Sequence, residues 1–227
     1  MATLAELLAS SLAALKQVQQ SGDFTIVKSG ELSPTHLKRL LANHFLMPVI
    51  KGWYIVTDPR AVPGDSTAWY ASFWNFILRY ATERYGKEWC LSAEQSLAIY
   101  SGSTTVPKQV LIRSPKGNNN SLELLPPTSL FNLEAALPSR IDTDNPYRLN
   151  LYPLAEAIIA ATPAIYKSDA TTMRTALALV RDSSEILKIL VDTGQTVRAG
   201  RVIGAFRNIG RKDIADEIAA TMKRIGY

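Results

Sequence analysis

The side chains best suited to chemistry lie in LSPTHLKRLLANHFLMPVIKGWYIV, Leu32 to Val56. A helix turns by about 100° per residue, so Thr35, Arg39 and Ala42 face away from Leu37, Leu40 and Leu41, with Lys38 beside them. Arginine pairs bidentately with guanine, while threonine and lysine hold phosphate or base edges. Lys51 lies between two apolar runs, where it could reach a phosphate. His36 and Asn43 flank the same helix face. Residues 1–57 hold five Lys/Arg against three acids, so charge alone does not separate a nucleic-acid-reading surface from an ordinary solvated face.

Catalytic patterns are missing. His36 and His44 are the only histidines and Cys90 the only cysteine, too few for a Cys/His zinc site. There is no nucleophile-elbow G-x-S-x-G, no P-loop and no G-x-G-x-x-G. Glu83 and Glu88, like Asp213, Asp216 and Glu217, read as solvated helix faces rather than paired acids and bases. The expectation is a protein without enzymatic activity, cofactor or metal.

Two further groups of cations stand out. Lys108, Arg113 and Lys116 occupy an interval without acids. From Gly194 to Tyr227 there are seven Lys/Arg against three acids. Arg198 and Arg201 lie three apart on one helix face, and Arg207, Arg211 and Lys212 flank Gly210. Such residues give salt-dependent, sequence-independent affinity for phosphate, or simply the wet face of a terminal helical pair.

The elements that must position these residues are well punctuated. Leu4, Leu8, Leu12, Leu15 and Val18 predict a helix ending near Ser21-Gly22. Phe24 to Val27 is β-prone. Ser33 suits an N-cap, Pro34 the first helical position, and Leu32 with Leu37 a hydrophobic staple. Met47–Ile50 and Trp53–Val56, joined by Lys51-Gly52, predict a hairpin. Asp58 to Asp65 reads as a linker or long turn and marks the first boundary. Trp69, Phe73, Phe76 and Tyr80 form an aromatic stripe on a helix to about Tyr85, and their spacing marks core rather than a base-stacking platform. Ser92 to Gln95 matches a capping box for a helix stopping at Gly102. Val110–Arg113, Ser121–Leu125 and Ser129–Leu133 read as strands. From Asn150 the chain is helical, through Leu154/Ile158/Ile159, Met173/Leu177/Val180 and Ile186/Leu190/Val191 to a last helix over Lys212–Arg224. The expected fold class is α+β: a winged helix-turn-helix over 1–60, a mixed α/β region over 61–150 and a helical part over 151–227.

Composition agrees with that plan. The chain has 227 residues, 47% hydrophobic and 20% charged, enough for a sizeable core. A net charge of +5 and a pI near 9.3 permit an anionic partner without requiring one. A lone cysteine fits a reducing compartment. The start, MATLAELLASSLAALKQ, has Glu6 and no basic run ahead of its apolar residues, unlike a signal peptide. No run approaches the roughly 18 apolar residues of a membrane span. These features lead to the expectation of a cytoplasmic protein with no membrane partner.

The order of helix, β-prone run, helix and hairpin is the minimum plan of a winged helix, short of one clear helix. LSPTHLKRLLANHFLMPVIKGWYIV, followed by WCLSAEQSLAIYSGSTTVPKQVLIRSPKGNNNSLELLPPTSLFNL, resembles the AbiEi-type antitoxin family over roughly residues 1–135. The resemblance implies a winged helix that binds double-stranded operator DNA and represses its own operon in toxin–antitoxin or phage-defence systems; operators are commonly read by dimers, which leads to the expectation of a homodimer. It also implies a cognate nucleotidyltransferase-type toxin that is opposed without a stable complex. Carried over, the DNA contacts are Thr35, Lys38 and Arg39 on the recognition helix and Lys51 in the wing, flanked by His36 and Asn43. The second block is also similar to the N-terminal region of some long Fic-domain proteins, although the Fic signature H-P-F-x-x-G-N-G-R is missing. That similarity implies the alternative, a non-catalytic interaction or regulatory module attached to or partnering a Fic-type enzyme.

Overall fold

A computed structural model describes residues 3–21, 25–62 and 64–226. Gly22 and Phe24, part of the expected first helix end and β-prone run, lie outside the described residues, as do Pro63 and Tyr227. The fold is α+β. In chain order it runs α1 (Leu4–Ser21), β1 (Ile26–Lys28), a 3-10 turn (Ser29–Glu31), α2 (Pro34–Ala42), β2 (Leu46–Ile50), β3 (Trp53–Val56) and α3 (Thr67–Tyr85). Then come β4 (Cys90–Leu91), α4 (Ala93–Tyr100), β5 (Gln109–Ser114), β6 (Asn120–Glu123) and β7 (Ser129–Glu134). Six helices complete the chain: α5 (Leu154–Ala160), α6 (Ile165–Ser168), α7 (Ala170–Leu179), α8 (Ser184–Thr193), α9 (Thr196–Asn208) and α10 (Lys212–Arg224). One sheet has the strand order β1-β3-β2 and another β4-β5-β7-β6.

The residues group into two compact units, one of Met1–Gly86, Val106–Gln109 and Ser121–Phe131, the other of Lys87–Thr105, Val110–Asn120 and Asn132–Tyr227. The Asp58–Asp65 segment, expected as a linker or long turn, falls inside the first unit.

In the first unit, β3 pairs antiparallel with both neighbours, Ile26 opposite Ile55 and Leu46 opposite Val56. Alternation along the strands gives this sheet two buried faces. Val27, Leu46, Tyr54 and Val56 pack with Leu15, Leu32 and Leu40 of the α1–α2 side. On the other face Trp53 meets α3 edge-on, its ring centroid 5.7 Å from Phe76 and 6.0 Å from Tyr80. The aromatic stripe of α3 is therefore core, with Phe73 and Phe76 both 0% exposed. Two ion pairs, Lys28–Glu83 and Arg79–Glu31, and a 2.7 Å bond from Arg79 to Ile26 O tie α3 to the β1 region. Pro48 is tolerated because β2 is an edge strand and the register shifts beside it. Gly52 supplies the left-handed backbone of the hairpin turn at φ 81°.

In the second unit the core is helical, with Leu97, Ile158, Met173, Leu177, Ile186, Leu190, Val202, Phe206 and Ile218 forming one cluster. Ser92 caps α4 by accepting the Gln95 N–H at 3.2 Å. The expected reciprocal half of that capping box is redirected. The Ser92 N–H donates to Leu111 O and the Gln95 side chain accepts from the Leu111 N–H, fastening the start of α4 to β5. Val191, expected on the apolar face of α8, is 41% exposed, because Ile186 and Leu190 already define the buried side.

Candidate nucleic-acid interface

α2 begins as the sequence predicts. The Ser33 hydroxyl accepts the His36 N–H at 3.3 Å and Pro34 fills the first turn. The helix ends at Asn43, whose side-chain amide donates to Arg39 O at 2.8 Å, and His44 follows at φ 59°. The burial pattern fixes which face looks outward. Leu40 is buried, Leu37 and Leu41 are half-buried, and Thr35, Lys38, Ala42 and Asn43 are exposed. Neither Thr35 nor Lys38 has a side-chain hydrogen bond or ion pair among the described residues. Lys51 is likewise exposed and unpaired at the hairpin turn.

Arg39 corrects the expected face. It is half-buried and turned onto α1, where Nη1 donates to Leu7 O at 2.9 Å and to Ser11 Oγ at 2.8 Å. His36 makes the same turn, with Nδ1 3.0 Å from Ser11 Oγ. Ser11 is 0% exposed, and its hydroxyl also lies 3.1 Å from Leu7 O. Its single proton goes to Leu7 O or to His36, while its lone pairs receive Arg39. A buried hydroxyl needs such partners. Arg39 and His36 thus brace α2 against α1 rather than standing free on the outward face, where helical spacing led one to expect them. The physical reason is that a long arginine can lie back along its helix to reach a neighbour's carbonyl. Ser11 was missed in the sequence, although a small polar residue on the leucine face of α1, between Leu8 and Leu15, is the signal that marks it.

The other basic residues divide similarly. Lys108 is exposed and its side chain is unpaired among the described residues. Arg113 lies on the half-buried side of β5, over the Tyr152 ring at 5.8 Å, and donates to Ala136 O at 3.2 Å. Lys116 is paired with Glu88. On the last helices, Arg198 and Lys212 are exposed, Arg207 pairs with Asp216 at 3.0 Å and Arg211 with Asp213 at 3.2 Å. Arg211 also donates to Val180 O and Arg181 O. Arg201 lies over Tyr166 at 5.8 Å. Of these eight cations, only Lys108, Arg198 and Lys212 have side chains without a partner among the described residues.

Cys90 is fully buried, and burial pushes its thiol up to about 12 despite the nearby Arg113 charge. A thiol held protonated is a poor nucleophile. Among the described residues no cluster of three or more His, Cys, Asp or Glu could hold a metal ion, and no helix is long and apolar enough to cross a membrane. Compared with protein-family models and with curated proteins, the chain matches none.

Proposed function

We propose that the first unit is a winged-helix DNA-binding head and that the protein regulates transcription of its own operon, as the resemblance to AbiEi-type antitoxins implies. The observation that carries the reading is the outward face of α2. Thr35 and Lys38 are exposed and, among the described residues, unengaged beside Asn43, and Lys51 stands exposed at the tip of the following hairpin. The surrounding order supports it: helix, strand, helix and hairpin, with β1 paired to the second hairpin strand. The 3-10 turn Ser29–Glu31 stands where a winged helix carries its second helix. In this reading Lys38 and Thr35 enter the major groove and Lys51 grips the backbone. Arg39 and His36 hold the reading helix at a fixed angle to α1.

The alternative, a non-catalytic interaction module partnering a Fic-type enzyme, is favoured by one observation. With Arg39 turned inward, Lys38 is the only arginine or lysine that α2 leaves exposed.

Fluorescence anisotropy against duplex DNA from upstream of the gene, beside a scrambled duplex and across a salt series, separates the two. Preference for the upstream duplex at physiological salt, lost in Lys38→Glu, is the expected result. Lys51→Ala should weaken both duplexes alike and lower the salt slope by about 1. Binding that ignores sequence, or no binding, rejects the regulator and leaves the interaction module. Lys38→Glu is preferred to Arg39→Glu, because reversal at Arg39 sets a carboxylate against Leu7 O and confounds fold with readout.

A further inference from the structure

The second unit contains a groove that the DNA-binding reading does not use. It runs between α6–α7 on one side and α9 on the other, and encloses about 480 Å³. Its floor is apolar, made by Met173 and Leu177 of α7 and by Ala205 of α9 with the following Ile209. Lys167, Arg174 and Arg201 reach its walls from three different helices, and among the described residues no Asp or Glu lines it. An adjoining hollow shares Arg174, Asn208 and Ile209 and extends to Arg211.

These cations are not equally engaged. Arg211 is occupied by Asp213 and by two carbonyl groups. Arg201 is held in place, its Nη2 donating to Ile159 O at 3.3 Å and its guanidinium over the Tyr166 ring, while its Nε is buried without a hydrogen-bond partner. Lys167 and Arg174 are exposed, and their side chains have no ion pair or hydrogen bond among the described residues. The closest acid in sequence, Asp169, caps α7 by accepting the Thr172 N–H. Three positive side chains around one concavity, without a counter-charge in its lining, focus a positive potential there.

We propose that this groove binds a small amphipathic anion, an organic phosphate whose apolar body covers Met173, Leu177 and Ile209 and whose phosphate meets Arg174, Lys167 and Arg201. The volume lies within the range of small-molecule sites, about 300–1,000 Å³, where an apolar lining with few convergent polar groups is usual. Three cations match the nearly two negative charges of a phosphate monoester better than the single charge of a carboxylate. A nucleic-acid backbone would engage the rim but leave the apolar floor unused.

The test is isothermal titration of the full chain with 1-naphthyl phosphate, beside 1-naphthoate and inorganic phosphate. The double variant Lys167→Gln/Arg174→Gln is compared, both positions being exposed and its fold checked by circular dichroism. Saturable binding of naphthyl phosphate is expected, tighter than either control and weakened about tenfold or more in the double variant. Lys38→Glu should leave it unchanged, which keeps the result separate from DNA binding. No saturable binding overturns the proposal, as does binding untouched by the double variant. Inorganic phosphate binding as tightly as naphthyl phosphate overturns the amphipathic site and leaves a simple cationic surface.

Discussion

At the scale of the residue, neighbouring cations on one helix have different tasks. Lys38 and Arg39 are adjacent in sequence, yet one is exposed and the other is spent on Ser11 and Leu7 of α1. Arg39→Ala removes two charge-assisted bonds, one of them to the buried Ser11 hydroxyl, so it should lower stability by about 2 kcal/mol. Lys38→Ala should change stability by less than about 0.5 kcal/mol. Urea denaturation of both variants checks this, and equal losses would refute the strut. The exposed placement of Lys38 and Thr35 was legible from helical spacing, because spacing reports position around the helix's own axis. The inward turn of Arg39 was not, since its partners lie on a helix 28 to 32 residues earlier in the chain.

At the scale of the element, local punctuation was highly informative. Ser33 and Ser92 cap where expected, the last helix covers Lys212–Arg224, and the three middle strands fall within two residues of their predicted bounds. Each of these signals acts through hydrogen bonds or pleat alternation within a few residues. The one-turn helix α6 was missed, because four residues carry too little periodicity to register. Gly117 shows what local reading cannot reach. It sits in the loop after β5, and a Cβ there would run into the Leu133 carbonyl and the Glu134 N–H of β7. Backbone cannot yield as a flexible side chain does. Gly117→Ala should therefore destabilise the fold by about 1–3 kcal/mol, read as a lowered thermal midpoint. An unchanged midpoint would mean that the loop does not lie against β7.

At the scale of the whole molecule, buried titratable groups set the alkaline limit of stability. Burial raises the Cys90 thiol from 9.0 to about 12 and also raises Tyr85, Tyr152 and Tyr166. A group that holds its proton more tightly folded than unfolded stabilises fully below its unfolded value, and that contribution fades as pH climbs toward the folded one. Stability should thus be level near neutrality and fall through pH 9 to 12, with Cys90→Ala losing less over that interval. Urea midpoints across this range give the check, and a flat profile would contradict the burial of these groups. By itself the sequence determined the α+β class, the order of the longer helices and strands and the aromatic core stripe of α3, because caps and apolar periodicities act between near neighbours. Only the tertiary structure decided which cations stay free, that Ser11 anchors Arg39 and His36, and that Lys167, Arg174 and Arg201 share one groove. Those outcomes depend on which distant backbone carbonyl or ring a long flexible side chain meets, and residue spacing along one helix carries no record of that.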